Sequence, residues 1–139
     1  IVGGVRSDKE DYLNSLKSLI KELNLEDNII FTGSQSKIEQ IYALSDVVIS
    51  SSKKPESFGR AVAESICMNK PVIATNHGGV KDITIENVNG FFFEVSNDKE
   101  LADNILKSRT LKFDGYGYIS DNFSLKNMLD RTLEVYRNL

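Results

Sequence analysis

Short runs of β-branched and aromatic residues alternate along this chain with stretches in which apolar residues recur every three or four positions. Ile1-Val2-Gly3-Gly4 reads as the end of a strand followed by a glycine turn. The next stretch places Leu13, Leu16, Ile20 and Leu23 on one stripe behind Asp8, which predicts a capped amphipathic helix. Residues 29–33 read as the next strand, ending at glycine. Ser36-x-x-Glu39 is a capping box before a short helix with Ile38, Ile41 and Tyr42 inward. Residues 46–50 are a third strand. Pro55 then stops it, and Ser57 is placed to cap a helix on which Phe58, Val62 and Ile66 recur every four residues. Lys70-Pro71 introduces a strand at 72–75, and Gly78-Gly79 turns into a short helix around 80–86. Residues 90–95 read as the last strand, Asn97-x-x-Glu100 caps a helix at 98–108, and 112–118, with Gly115 and Gly117, reads as irregular. A final helix starts near Ser124 and carries Leu125, Met128, Leu129, Val135 and Tyr136.

Strands that are continuously apolar and alternate with helices belong to a parallel sheet covered on both faces. The pattern therefore predicts an α/β fold, a Rossmann-like doubly wound parallel sheet of about five strands, in one domain spanning 1–139. At 139 residues such a chain can bury a real core. Composition adds exclusions. With 40% apolar and 27% charged residues the chain is ordinary globular material, and a net charge of −3 argues against a nucleic-acid protein held by phosphate contacts. One cysteine gives no disulfide framework and fits a reducing, cytoplasmic compartment. One histidine, His77, and no ligand cluster give no metal site.

The chemistry concentrates at 53–68, where strand, polar turn and helix follow one another. Ligands of open α/β sheets sit at the carboxyl ends of strands, and a helix N-terminus offers free N–H groups to an anion. Glu56 lies at the mouth of that turn and Glu64 two helical turns in. The motif Glu56-Ser57-Phe58-Gly59 to Glu64, followed by Lys70-Pro71-Val72-Ile73-Ala74-Thr75 and Gly78-Gly79, resembles the Glu-x7-Glu signature of retaining glycosyltransferases of the GT-B fold, a large family of bacterial glycan and glycolipid hexosyltransferases. The resemblance covers nearly the whole chain and is to the family's C-terminal, donor-binding domain.

That resemblance implies a catalytic role for Glu56, which would contact the donor sugar and support the charge that develops as its bond to phosphate breaks. It implies that Glu64 accepts hydrogen bonds from the nucleotide ribose. The first-turn N–H groups of Ser57, Phe58, Gly59 and Arg60 would cradle the diphosphate, Gly33 and Ser34 would line the nucleobase pocket, and Gly78 and Gly79 would lie near the sugar. Each position also has a plainer reading. Glu56 suits any helix N-terminus, and Glu64 is placed to pair with Arg60 at i,i+4. Gly59 suits close packing of helix on strand, Phe58 suits the core, and the Gly33 and Gly78-Gly79 loops suit ordinary turns.

The expected partners are a UDP-, GDP- or ADP-sugar donor and an N-terminal acceptor domain, with no cofactor, no metal and no nucleic acid. The resemblance leaves room for peripheral membrane association of the full-length enzyme. The chain opens at Ile1 inside what reads as a strand, so the expectation is a piece of a two-domain enzyme that lacks its first, central strand and is inactive alone. Two other readings stand beside this one: a non-catalytic α/β interaction module, and a sugar-nucleotide epimerase of the same fold.

Overall fold

The computed structural model describes residues 1–138, which divide into two compact units, one of residues 1–38 and one from residue 39 onward. In the first, a 3-10 turn at Ser7–Lys9 runs into helix α1 (Glu10–Glu22). The Asp8 carboxylate does not cap that helix. It accepts from Arg6 Nε at 2.9 Å instead. Leu13, Leu16 and Ile20 are half-buried along one stripe, as their spacing requires, but Leu23, just past the end of α1, is 55% exposed.

The two strands expected in this unit are not regular. Residues 1–3 and 29–33 run side by side and exchange backbone bonds, Thr32 N–H to Ile1 O and Gly3 N–H to Gly33 O, both at 3.0 Å. A ladder does not propagate from these bonds, because Gly3 and Gly33 both sit at positive φ (+142° and +66°), outside the extended region. Among the described residues the sheet therefore has three strands and not about five.

Those three strands lie in the second unit. After helix α2 (Ile38–Leu44) come β1 (Val48–Ser50), α3 (Arg60–Cys67), β2 (Val72–Thr75), α4 (Val80–Ile83) and β3 (Gly90–Phe93). They are followed by α5 (Asp98–Ser108), α6 (Gly115–Phe123) and α7 (Leu125–Arg137). The sheet is parallel throughout, in the order β1-β2-β3, with Val48 opposite Val72 and Ile73 opposite Phe91. Each parallel step requires a crossover, and α3 and α4 provide them.

Central strand β2 is buried at all four positions. Val72 and Ala74 join Val62, Ala63 and Ile66 of α3 and Val80 and Ile83 of α4 in the main core. Ile73 points the other way by the strand's alternation and is also 0% exposed, so both faces of the sheet are covered. Asn104 of α5 donates to Phe92 O at 2.8 Å and ties that helix to the edge of β3.

Three local expectations change. The helix after Pro55 begins at Arg60, not at Ser57, because Gly59 adopts a left-handed conformation (φ +89°) that no helix can run through; Ser57 makes no cap. Phe58 is in consequence 42% exposed, packed edge-on against Phe123 with ring centroids 6.0 Å apart, and is not a core residue. The stretch around Gly115 and Gly117 is helical. Asp114 Oδ1 accepts from Gly117 N–H at 2.9 Å and caps α6, and Gly115 lies so close to Ile66 O that no side chain fits between the two helices. The glycines there mark a helix crossing and not a loop. The Asn97 cap is as expected: its Oδ1 accepts from Glu100 N–H at 3.1 Å and its Nδ2 donates to Glu100 Oε2 at 3.0 Å. The final helix is capped by Ser124, whose Oγ accepts from Asn127 N–H at 3.3 Å.

Candidate functional site

β1 ends at Ser50, and the chain leaves its carboxyl end through 51–59 before entering α3. Pro55, Glu56, Ser57, Phe58, Gly59 and Arg60 line an open hollow of about 450 Å³ there, a volume in the range of ordinary small-molecule sites. The N–H groups of Ser57, Phe58 and Gly59 donate to no backbone carbonyl among the described residues. Those of Arg60 and Ala61 open a helix and so have no carbonyl one turn behind them. Five consecutive donors, at the positive end of a helix, therefore lie along one short segment.

The turn owes its shape to the glycine pair on the loop after β2. Gly79 N–H donates to Glu56 O at 2.7 Å. A methyl group on Gly78 would come within 2.7 Å of Glu56 O and 2.8 Å of Glu56 N, and one on Gly79 within 2.8 Å of Phe58 Cα. Backbone lies directly on backbone, which requires residues without Cβ. Gly59, buried beneath the same turn, combines positive φ with contact to Val80, where a methyl group would lie 2.7 Å from Cγ1. The structure thus brings Glu56, Ser57, Phe58, Gly59, Arg60, Gly78 and Gly79 together. Gly33 and Ser34 belong to the 1–38 unit, where Gly33 O accepts from Gly3 N–H and Ser34 packs over Gly4.

Both glutamates are held by hydroxyl groups. Ser52 Oγ donates to Glu56 Oε1. Thr75 Oγ1 in turn donates to Ser52 O at 2.9 Å, which fixes the end of the strand from its neighbour. Tyr42 Oη donates to Glu64 Oε2 at 2.9 Å from α2, and burial, then the hydrogen bond and charge of Glu64, push the Tyr42 phenol up to about 12. Arg60 makes no ion pair with Glu64, so the plainer reading of that glutamate as half of an i,i+4 pair does not describe it.

Sequence reasoning missed the parts of Ser52 and Tyr42. Tyr42 reads as one more inward residue on an apolar stripe, and the residue is indeed only 6% exposed. The available signal is that a buried tyrosine, unlike leucine, must end its hydroxyl on a partner. His77, which precedes the glycine pair, has both ring nitrogens buried with no partner among the described residues.

Residues 1–111 match the family of glycosyl transferases group 1. The chain is 30% identical over 93 residues to N-acetyl-alpha-D-glucosaminyl L-malate synthase of Bacillus anthracis, a match over 67% of this chain and 24% of that protein. Among solved structures, HepE of Anabaena in complex with UDP superposes with a TM-score of 0.88 at 29% identity, over 99% of this chain and 40% of that one. A glycosyltransferase of Rickettsia africae does so with a TM-score of 0.86 at 35% identity, over 99% of this chain and 38% of that one. The chain thus spans between a quarter and two fifths of these relatives. With four fifths of its length matched by one family and its parallel α/β sheet matched by two members' structures, the chain belongs to the glycosyl transferases group 1.

Proposed function

We propose that this chain is the donor-binding half of a retaining hexosyltransferase, which takes a sugar from a nucleoside diphosphate to a glycan or lipid-linked acceptor. The observation that carries the reading is Glu56 at the head of a run of free N–H groups over 57–61, in a hollow at the end of a parallel strand, with Glu64 exposed on α3 three residues past that run. In this reading the diphosphate lies on the N–H groups of 57–61, the ribose reaches Glu64, and the sugar lies beside Glu56 and the Gly78-Gly79 loop. When the bond from the anomeric carbon to the phosphate oxygen breaks, the oxygen gains negative charge against donors already in place. The carbon gains positive charge facing the Glu56 carboxylate, whose direction Ser52 fixes. Neither effect requires reorganisation at the moment of reaction.

HepE, a structural relative at 29% identity, has been solved with UDP and with UDP-glucose, which supports a nucleotide-sugar donor here. Among the described residues, no helix is long and apolar enough to cross a membrane.

The test is calorimetric titration of the chain with UDP, GDP and ADP, alongside Glu64→Ala. Saturable binding of one nucleotide, weakened at least about tenfold in the variant, is expected, and it names the base. Binding that Glu64→Ala leaves unchanged, or no binding of any of the three at millimolar concentration, would sink the proposal.

A further inference from the structure

Glu64 stands on an exposed position of α3, whose buried face is made of Val62, Ala63, Ser65 and Ile66. A glutamate so placed has three free torsions, and a ligand that used it would have to freeze them. Nothing on its own helix holds it, since Arg60 one turn earlier does not pair with it. What holds it comes from 22 residues upstream: the Tyr42 hydroxyl, 2.9 Å from Oε2. The tyrosine is a rigid post, 6% exposed in α2 with its hydroxyl at the edge of the buried region. A hydroxyl that bonds one carboxylate oxygen leaves Oε1 wholly free and one lone pair on Oε2. Two acceptor sites on a carboxylate of fixed direction match two vicinal hydroxyls.

We infer that Tyr42 is a positioning residue, which fixes the Glu64 carboxylate for both hydroxyls of a ribose and so makes the site select ribonucleotides over deoxyribonucleotides. The phenol serves only as a donor to the carboxylate at neutral pH, because burial and Glu64 itself push its ionisation up to about 12. The inference rests on the donor-binding reading above and adds to it the residue that sets sugar selectivity in the nucleotide. A plain structural role, in which Glu64 merely satisfies a buried tyrosine, makes a different prediction: removing the hydroxyl would then affect every ligand alike.

The experiment titrates the wild-type chain, Tyr42→Phe and Glu64→Ala with UDP, GDP and ADP, each paired with its 2′,3′-dideoxy counterpart. The wild-type chain should prefer the ribose form of its nucleotide by at least about tenfold. Tyr42→Phe should weaken the ribose form about threefold to tenfold, the effect of one net hydrogen bond, and leave the dideoxy form unchanged. Equal weakening of both forms, or wild-type affinity of Tyr42→Phe for the ribose form, would overturn the inference while leaving the donor-binding reading intact. Equal wild-type affinity for ribose and dideoxy forms would overturn it without any variant. Failure of the reading beneath is distinguishable, since Glu64→Ala would then bind its nucleotide as wild type does, or no nucleotide would bind at all.

Discussion

Gly78→Ala tests whether the loop after β2 holds the turn that carries Glu56. Gly78 has φ +74°, so an alanine there accepts a left-handed conformation at about 1 kcal/mol or somewhat more. It also brings a methyl carbon within 2.7 Å of Glu56 O, 2.8 Å of Glu56 N and 3.1 Å of Pro55 Cα. These are backbone atoms, so no side-chain tip can swing aside, and the 55–58 segment itself has to retreat. Overpacking of this kind costs about 1–3 kcal/mol. Retreat also stretches the Gly79 N–H bond to Glu56 O, now 2.7 Å, toward the limit of a useful hydrogen bond. The expected loss is therefore about 2–4 kcal/mol, read as a lower urea midpoint at unchanged slope, together with weaker nucleotide binding. Gly33→Ala gives the conformational part by itself, because Gly33 sits at φ +66° with nothing within 4 Å of its missing Cβ. A loss at Gly78 of about 1 kcal/mol or less, equal to that at Gly33, would refute the argument. The left-handed φ would then be the whole cost, and the turn at Glu56 would not depend on the glycine loop.

Two further outcomes follow from other parts of the molecule. Asn97→Ala removes the acceptor of Glu100 N–H and the partner of the Glu100 carboxylate at the start of α5, and should cost about 1 kcal/mol, seen as a lower thermal midpoint with nucleotide binding unchanged. Tyr42 holds its proton more tightly when folded, about 12 against 10.0, so its contribution to stability is whole below pH 10 and is lost as the pH rises toward 12; urea unfolding over that window should show the decline, and Tyr42→Phe should flatten it.

The parts of the fold legible in the sequence are those fixed by neighbours in the chain. Strands β2 and β3, helices α5 and α7 and the caps at Asn97 and Ser124 all follow from local pattern, because a cap or a short apolar run carries its instruction within a few residues. The misread parts depend on contacts distant in sequence. Gly115 signals a loop by its own propensity, yet it is a helix residue, and it is glycine because Ile66 O, 49 positions earlier, leaves no room for a Cβ. Gly59 likewise stops α3 from reaching back to Ser57 because it is left-handed against Val80, a contact 21 residues away.

The same distinction governs the candidate site. The two glutamates are visible as a spacing, but what turns them into directed groups is not, because their hydroxyl partners come from other elements, Ser52 at the end of β1 and Tyr42 on α2. Those partners are neutral. Each bond fixes a carboxylate without cancelling its charge, whereas an ion pair with Arg60 would have fixed Glu64 and neutralised it together. For a group that must accept from sugar hydroxyls or face a developing cation, a neutral anchor is the better solution, since the full negative charge stays available to the ligand. It also sets a condition on any diphosphate bound beside them. Two uncancelled carboxylates raise the potential that the phosphates must enter, and the N–H groups of 57–61 contribute only about half an elementary charge as a helix terminus. Cationic side chains have to make up the difference. Lys53, Lys54 and Arg60 are exposed on the same segment, so on this argument nucleotide affinity should fall steeply with salt, and a site already neutralised by an ion pair would show no such slope.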